Sequence, residues 1–69
     1  MKLSARNALP GTIVEIKKGP ISTLVRIEVA PGLVVSAVIT TDAAADMDLA
    51  TGTKAYAVIK SSNVLIGID

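Results

Sequence analysis

Apolar residues in this chain fall into short segments divided by glycine, proline and polar pairs. Thr12-Ile13-Val14-Glu15-Ile16-Lys17 is rich in β-branched residues and ends at Lys18-Gly19-Pro20, a turn signal. A second strand is predicted over Ile21 to Val29, with Val25, Ile27 and Val29 on one face and Arg26 and Glu28 on the other. Ala30-Pro31-Gly32 reads as a tight turn, because proline presets φ and glycine accepts a positive one. Leu33 to Thr40 follows as a third strand, nearly continuous in apolar character, which predicts cover on both faces. Thr41 then suits an N-cap, Asp42 suits the positive end of a helix, and Ala43-Ala44-Ala45 has high helix propensity. The pattern predicts two helical turns through Asp48. Thr51-Gly52-Thr53 closes that connection, with strands over Lys54 to Lys60 and Val64 to Ile68. The order β-β-β-α-β-β predicts an all-β fold with one short helix, a five-stranded barrel of the oligonucleotide/oligosaccharide-binding (OB) type.

Length changes how this barrel must be stabilised. Sixty-nine residues make one domain, spanning 1–69, without repeats or linkers. A core of that size supplies roughly 3–5 kcal/mol, so small domains usually add disulfides, a metal or further subunits. There is no Cys and no His, which removes disulfides and the usual zinc sites. With 51% hydrophobic residues, association of like chains is the remaining means, and it would hide the apolar excess. The net charge of +1 gives no broad attraction for nucleic acid or an anionic membrane. No apolar run approaches the ~20 residues of a spanning helix, and no signal-peptide pattern is present. A cytoplasmic location is expected.

The candidate chemistry is that of donors. Ser4-Ala5-Arg6-Asn7 near the start and Lys60-Ser61-Ser62 near the end offer hydroxyl, amide and cationic groups with little negative charge beside them. Groups of this kind suit holding a tetrahedral anion, which takes several short hydrogen bonds to its oxygens. Lys17-Lys18-Gly19 is a second candidate, a turn in which backbone N–H groups can converge beside two ammonium groups. Each cluster alone also fits simple solvated strand ends. A catalytic role is disfavoured, since His and Cys are missing and Asp42, Asp46 and Asp48 read as solvated helix charge. They do not match the spacing of a calcium-binding EF-hand loop. Nucleic-acid binding by an OB surface relies on aromatic platforms, and the one aromatic here, Tyr56, lies in an apolar strand.

The arrangement of these motifs adds to that reading. Ser4-Ala5-Arg6-Asn7, Leu9, Gly11, Val14 and Ile16-Lys17-Lys18-Gly19 resemble the opening of the molbindins, the small molybdate-binding Mop proteins. Val38-Ile39-Thr40 leading to Asp42, and Ala57-Val58-Ile59-Lys60-Ser61-Ser62-Asn63-Val64, continue the likeness across the whole chain. The resemblance implies an OB-type subunit assembled as a homohexamer, a trimer of dimers, that holds molybdate or tungstate at subunit interfaces. It implies a first class of site from Ser4, Arg6, Lys60 and Ser61, contributed by two chains, and a second near the three-fold axis from Lys17, Lys18 and Gly19. Storage, buffering or homeostasis of cytoplasmic molybdenum, without catalysis, is the implied role. Pro20 departs from the pattern: it has no amide hydrogen where related sequences carry one, so a donor at that position is lost. The alternatives are a nucleic-acid-binding OB module and a regulatory domain of a molybdate transporter ATPase. Met1 and the self-contained length weigh against the latter.

Overall fold

A computed structural model describes all residues, 1–69. Four antiparallel strands, β1 (Asn7–Lys18), β2 (Ser22–Ala30), β3 (Leu33–Thr40) and β4 (Lys54–Ile59), form one sheet in the order β3-β2-β1-β4. A single α-helix, α1 (Thr41–Asp46), follows β3, and a 3-10 turn, Ser61–Asn63, follows β4. The sheet curls. Its two edge strands, β3 and β4, contribute walls to the same apolar cleft, and β2 touches β4 although they are not neighbours. No helix is long and apolar enough to cross a membrane.

The predicted alternation of β2 is realised. Val25 and Ile27 are buried while Arg26 and Glu28 are exposed, and Arg26 meets Glu15 of β1 in an exposed ion pair at 3.6 Å. The pairing of β1 with β2 slips between Ile13 and Glu15, which places Val14 at a bulge and sharpens the local twist. Ile13 is 1% exposed. Its N–H donates to the Thr53 carbonyl at 2.9 Å and its carbonyl accepts from the Gly52 N–H at 2.8 Å, so the same residue anchors the loop before β4.

Four predicted elements are corrected. β1 begins at Asn7 rather than Thr12 and runs through Pro10 and Gly11, residue types depleted in strands. Over Asn7–Gly11 only β4 pairs with β1, since pairing to β2 begins at Thr12, and an edge is where a strand accommodates proline. Thr40, not Thr41, is the N-cap: its hydroxyl accepts from the Ala43 N–H at 3.0 Å, the third-residue geometry a cap requires. The helix ends at Asp46, short of Asp48, which adopts φ 50°. β3 is open rather than covered on both faces: Val38 is 71% exposed, on a face that no other element of the chain covers.

The fifth strand is the largest correction. Val64 to Ile68 forms no strand, and past the Val64 N–H the segment makes no backbone hydrogen bond. Alternation supplies a strand's side-chain pattern, but a strand exists only where a neighbouring edge supplies the ladder, and this segment lies on neither free edge of its own sheet. Leu65, Ile66 and Ile68 are 90%, 89% and 94% exposed. The chain as a whole buries only Ile13, Thr23, Val25 and Ile27 and exposes 5389 Å². A compact monomer of 7.1 kDa exposes ~4,100 Å².

Candidate functional site

Strand register decides which of the sequence motifs meet. In the β1–β4 pair, Asn7 stands opposite Ile59, and the Asn7 side-chain amide donates to the Ile59 carbonyl at 3.1 Å. Continuing that antiparallel register by one residue sets Arg6 beside Lys60, the residue from which the Ser61–Asn63 turn starts. Fifty-two positions of sequence separation are therefore closed by one pair of strands and locked by one amide. Ser4, Arg6, Lys60 and Ser61 are all exposed. The chain's one ion pair is Arg26–Glu15, so neither Arg6 nor Lys60 has its charge taken by a carboxylate. What gathers at this end of the sheet is a set of uncommitted donors. That set has the chemistry to hold an anion, and it includes no His, Cys or carboxylate.

Lys17, Lys18 and Gly19 lie at the other end of β1, eleven residues from Asn7, or roughly 36 Å along a strand that rises ~3.3 Å per residue. The two clusters are thus separate places on one chain. The turn at this end is closed from within. The Gly19 N–H donates to the Ser22 carbonyl at 3.0 Å, and the Thr41 N–H donates to the Ile21 carbonyl at 2.8 Å. A Cβ on Gly19 would sit 2.5 Å from the Ser22 carbonyl oxygen, so the close approach needs glycine. These bonds use the backbone donor that an anion nest would need at Gly19, and Pro20 has none to offer. Only the Lys17 and Lys18 ammonium groups remain, both on exposed residues.

A hydroxyl relay beneath this turn was not foreseen from the sequence. The Thr41 hydroxyl donates to the Gly19 carbonyl at 2.7 Å and lies 2.8 Å from the Thr23 hydroxyl. Thr41 has one proton and gives it to Gly19, so Thr23 donates to Thr41. Thr23 is fully buried, and this bond satisfies it. The one signal in the sequence was a threonine on the inward face of β2, in phase with Val25 and Ile27. Thr41→Val is expected to leave the buried Thr23 hydroxyl and the Gly19 carbonyl without partners, costing about 1–3 kcal/mol. Urea unfolding would show this as a lower midpoint, with Thr41→Ser restoring most of it; an unchanged midpoint for Thr41→Val would remove the relay from the account.

No three His, Cys, Asp or Glu side chains cluster as metal ligands would. An apolar cleft of about 210 Å³ opens between the two edge strands, floored by Ile13, Val25 and Ile27 and walled by Ile39, Tyr56 and Val58. Tyr56 belongs to this apolar wall and stands alone as an aromatic, without a second ring to make a stacking platform.

Comparison with known proteins places this geometry. Residues 3–66 match the TOBE domain family. A probable molybdenum-pterin-binding protein of Haemophilus influenzae is 38% identical over 69 residues, covering 100% of both chains. The structure of a molybdate-binding protein from Sporomusa ovata superposes with a TM-score of 0.91 at 35% identity, covering 99% of this chain and 100% of that one. The cytoplasmic molybdate-binding protein ModG, in a crystal form with molybdate bound, superposes with a TM-score of 0.94 at 38% identity. It covers 100% of this chain, which spans 49% of ModG. Donor-rich ends, a curled all-β sheet and a match along nearly the whole sequence agree: the chain belongs to the TOBE domain family, within the group of small molybdenum-binding Mop proteins, the molbindins.

Proposed function

We propose that this protein binds molybdate, or tungstate, as an oxyanion at interfaces between like subunits, and that it stores or buffers the anion in the cytoplasm without catalysis. The observation that carries this reading is the β1–β4 register: it ends with Asn7 opposite Ile59, so the segments bearing Ser4 and Arg6 and bearing Lys60 and Ser61 leave the sheet at the same end, with neither Arg6 nor Lys60 in an ion pair. All four are exposed in the single chain. A dianion held there is enclosed only when a second subunit covers it, which agrees with a two-chain site in a homohexamer, a trimer of dimers. The surface in excess of a compact monomer supports assembly on independent grounds. The second class of site uses the Lys17 and Lys18 ammonium groups, with the Gly19 N–H already engaged in its own turn. It is the weaker class.

Selectivity against phosphate follows from protonation. Near neutral pH much phosphate keeps a proton, and a site made only of donors leaves that proton unpaired. Sulfate matches in charge and shape, so cavity size must reject it. Calorimetric titration with molybdate, tungstate, sulfate and phosphate tests the proposal, alongside melting curves. A ligand specific for the folded state stabilises by RT ln(1 + [L]/Kd), about 2.7 kcal/mol at one hundred times Kd. Molybdate and tungstate are expected to raise Tm and phosphate to leave it nearly unchanged. Stabilisation by single-stranded DNA but not by molybdate would replace this reading with nucleic-acid binding.

A further inference from the structure

We propose that Asn7 is a positioning residue for the anion site: its side-chain amide holds the end of β4 and so fixes Lys60 and Ser61 relative to Ser4 and Arg6. The place of this bond in the sheet carries the proposal. From Asn7 to Gly11, β4 is the sole neighbour of β1 within the chain, and pairing with β2 begins only at Thr12. The donors therefore leave from the tip of a two-stranded ribbon, an arrangement that is marginally stable by itself in water. Two side-chain bonds cross that ribbon. At its base the Lys54 ammonium donates to the Thr12 hydroxyl at 3.1 Å, and at its tip the Asn7 amide donates to the Ile59 carbonyl at 3.1 Å. The base bond is exposed and the tip bond is partly buried, so water competes less with the second. The tip bond also ends on the residue immediately before Lys60.

Lys60 is held on its other side by the turn it starts, where the Asn63 N–H donates to the Lys60 carbonyl at 2.8 Å. Between that bond and the one at Ile59, the Lys60–Ser61 step has a fixed direction. An anion that finds its donors already gathered spends no binding free energy on gathering them. Where the competent arrangement is populated only part of the time, the apparent Kd rises by the inverse of that fraction. Asn7 does this through Ile59, without touching the anion. By linkage, a bound anion holds the two segments together and protects the end of β4 in return. The inference rests on the proposed anion binding and adds to it the residue that sets the spacing of the donors.

Calorimetric titration with molybdate and amide hydrogen exchange, both on the full chain, test it. Asn7→Ala is expected to weaken molybdate binding about three- to tenfold, the effect of one neutral hydrogen bond. Without ligand it should speed exchange over Val58 to Ser61, and molybdate should restore much of the protection. Asn7→Asp cannot donate to the Ile59 carbonyl and adds a negative charge beside the site. It should bind more weakly than Asn7→Ala, with the extra loss shrinking in high salt. Thr12→Val removes the bond at the base of the same ribbon and is expected to leave the molybdate Kd unchanged, whatever it does to the urea midpoint. Equal losses for Asn7→Ala and Thr12→Val would reduce Asn7 to general support of the ribbon and overturn the positioning. Molybdate binding by wild type and Asn7→Ala with the same Kd would overturn it alone, leaving the proposed function intact. A wild type that binds no molybdate would overturn both together.

Discussion

Lys60→Ala is expected to weaken molybdate binding at the first class of site by roughly ten- to a hundredfold. Loss of one charge-assisted donor costs about 1.5–3 kcal/mol, and 1.4 kcal/mol is a factor of ten. The lysine has no carboxylate partner in the chain, so its removal breaks no ion pair and should leave the fold unharmed. Ser4→Ala removes a neutral hydroxyl and should cost less, about 0.5–1.5 kcal/mol. Arg6→Ala separates two roles: a large loss shows the guanidinium on the anion, and near silence shows that the backbone N–H is the donor. Lys17→Ala and Lys18→Ala should leave the first class untouched, being at the far end of β1. Calorimetric affinities and stoichiometries for the five variants decide this. If Lys18→Ala abolished all binding and Lys60→Ala had no effect, the principal site would lie at the opposite end of the sheet.

Ile13→Ala is expected to be the most damaging single substitution to the fold. Removing a buried isoleucine side chain down to its Cβ costs about 2–5 kcal/mol, and a core of this size supplies only about 3–5 kcal/mol. Ile13 is one of three buried apolar residues and also floors the cleft between the edge strands. Its backbone bonds to Gly52 and Thr53 survive the change, so the loss isolates packing. Ile13→Val, one methylene shorter, should cost about 0.5–1.5 kcal/mol. Urea unfolding followed by far-UV circular dichroism should find Ile13→Ala largely unfolded in water and Ile13→Val folded with a modestly lower midpoint. Equal midpoints for the two would place the core elsewhere.

Much of this molecule is legible along the chain where local chemistry acts alone. β2 and β3 were readable because alternation and the Pro31-Gly32 turn are local signals, and the helix because alanines follow a capping threonine. Legibility stopped where a residue's role depends on its neighbour across the sheet. Pro10 is acceptable in β1 only because that stretch has one neighbour, and nothing in Ala8-Leu9-Pro10-Gly11 reveals how many neighbours it has. Thr41 looked like a cap, yet its hydroxyl turns to Thr23 and Gly19, contacts across eighteen and twenty-two positions. Val64 to Ile68 has the side chains of a strand, but pattern does not say which sheet, or whose, receives it. The donor motifs themselves were legible as chemistry. That the two terminal clusters share one end of the sheet came from the family resemblance and not from residue chemistry, because it depends on pairing Asn7 with Ile59.

The length of β1 sets how bound anions on one chain sense each other. The donor clusters sit at its two ends, roughly 36 Å apart along the strand, and even a strongly curled path leaves them separated by more than the ~8 Å screening length of physiological salt. Two dianions held by the same subunit therefore exert almost no direct repulsion. If both clusters bind as proposed, occupying one end would barely change the charge cost of occupying the other on the same subunit. Cooperativity between the two ends of one subunit would then come from rearrangement of the protein, and it should persist in high salt, where a purely coulombic effect would fade.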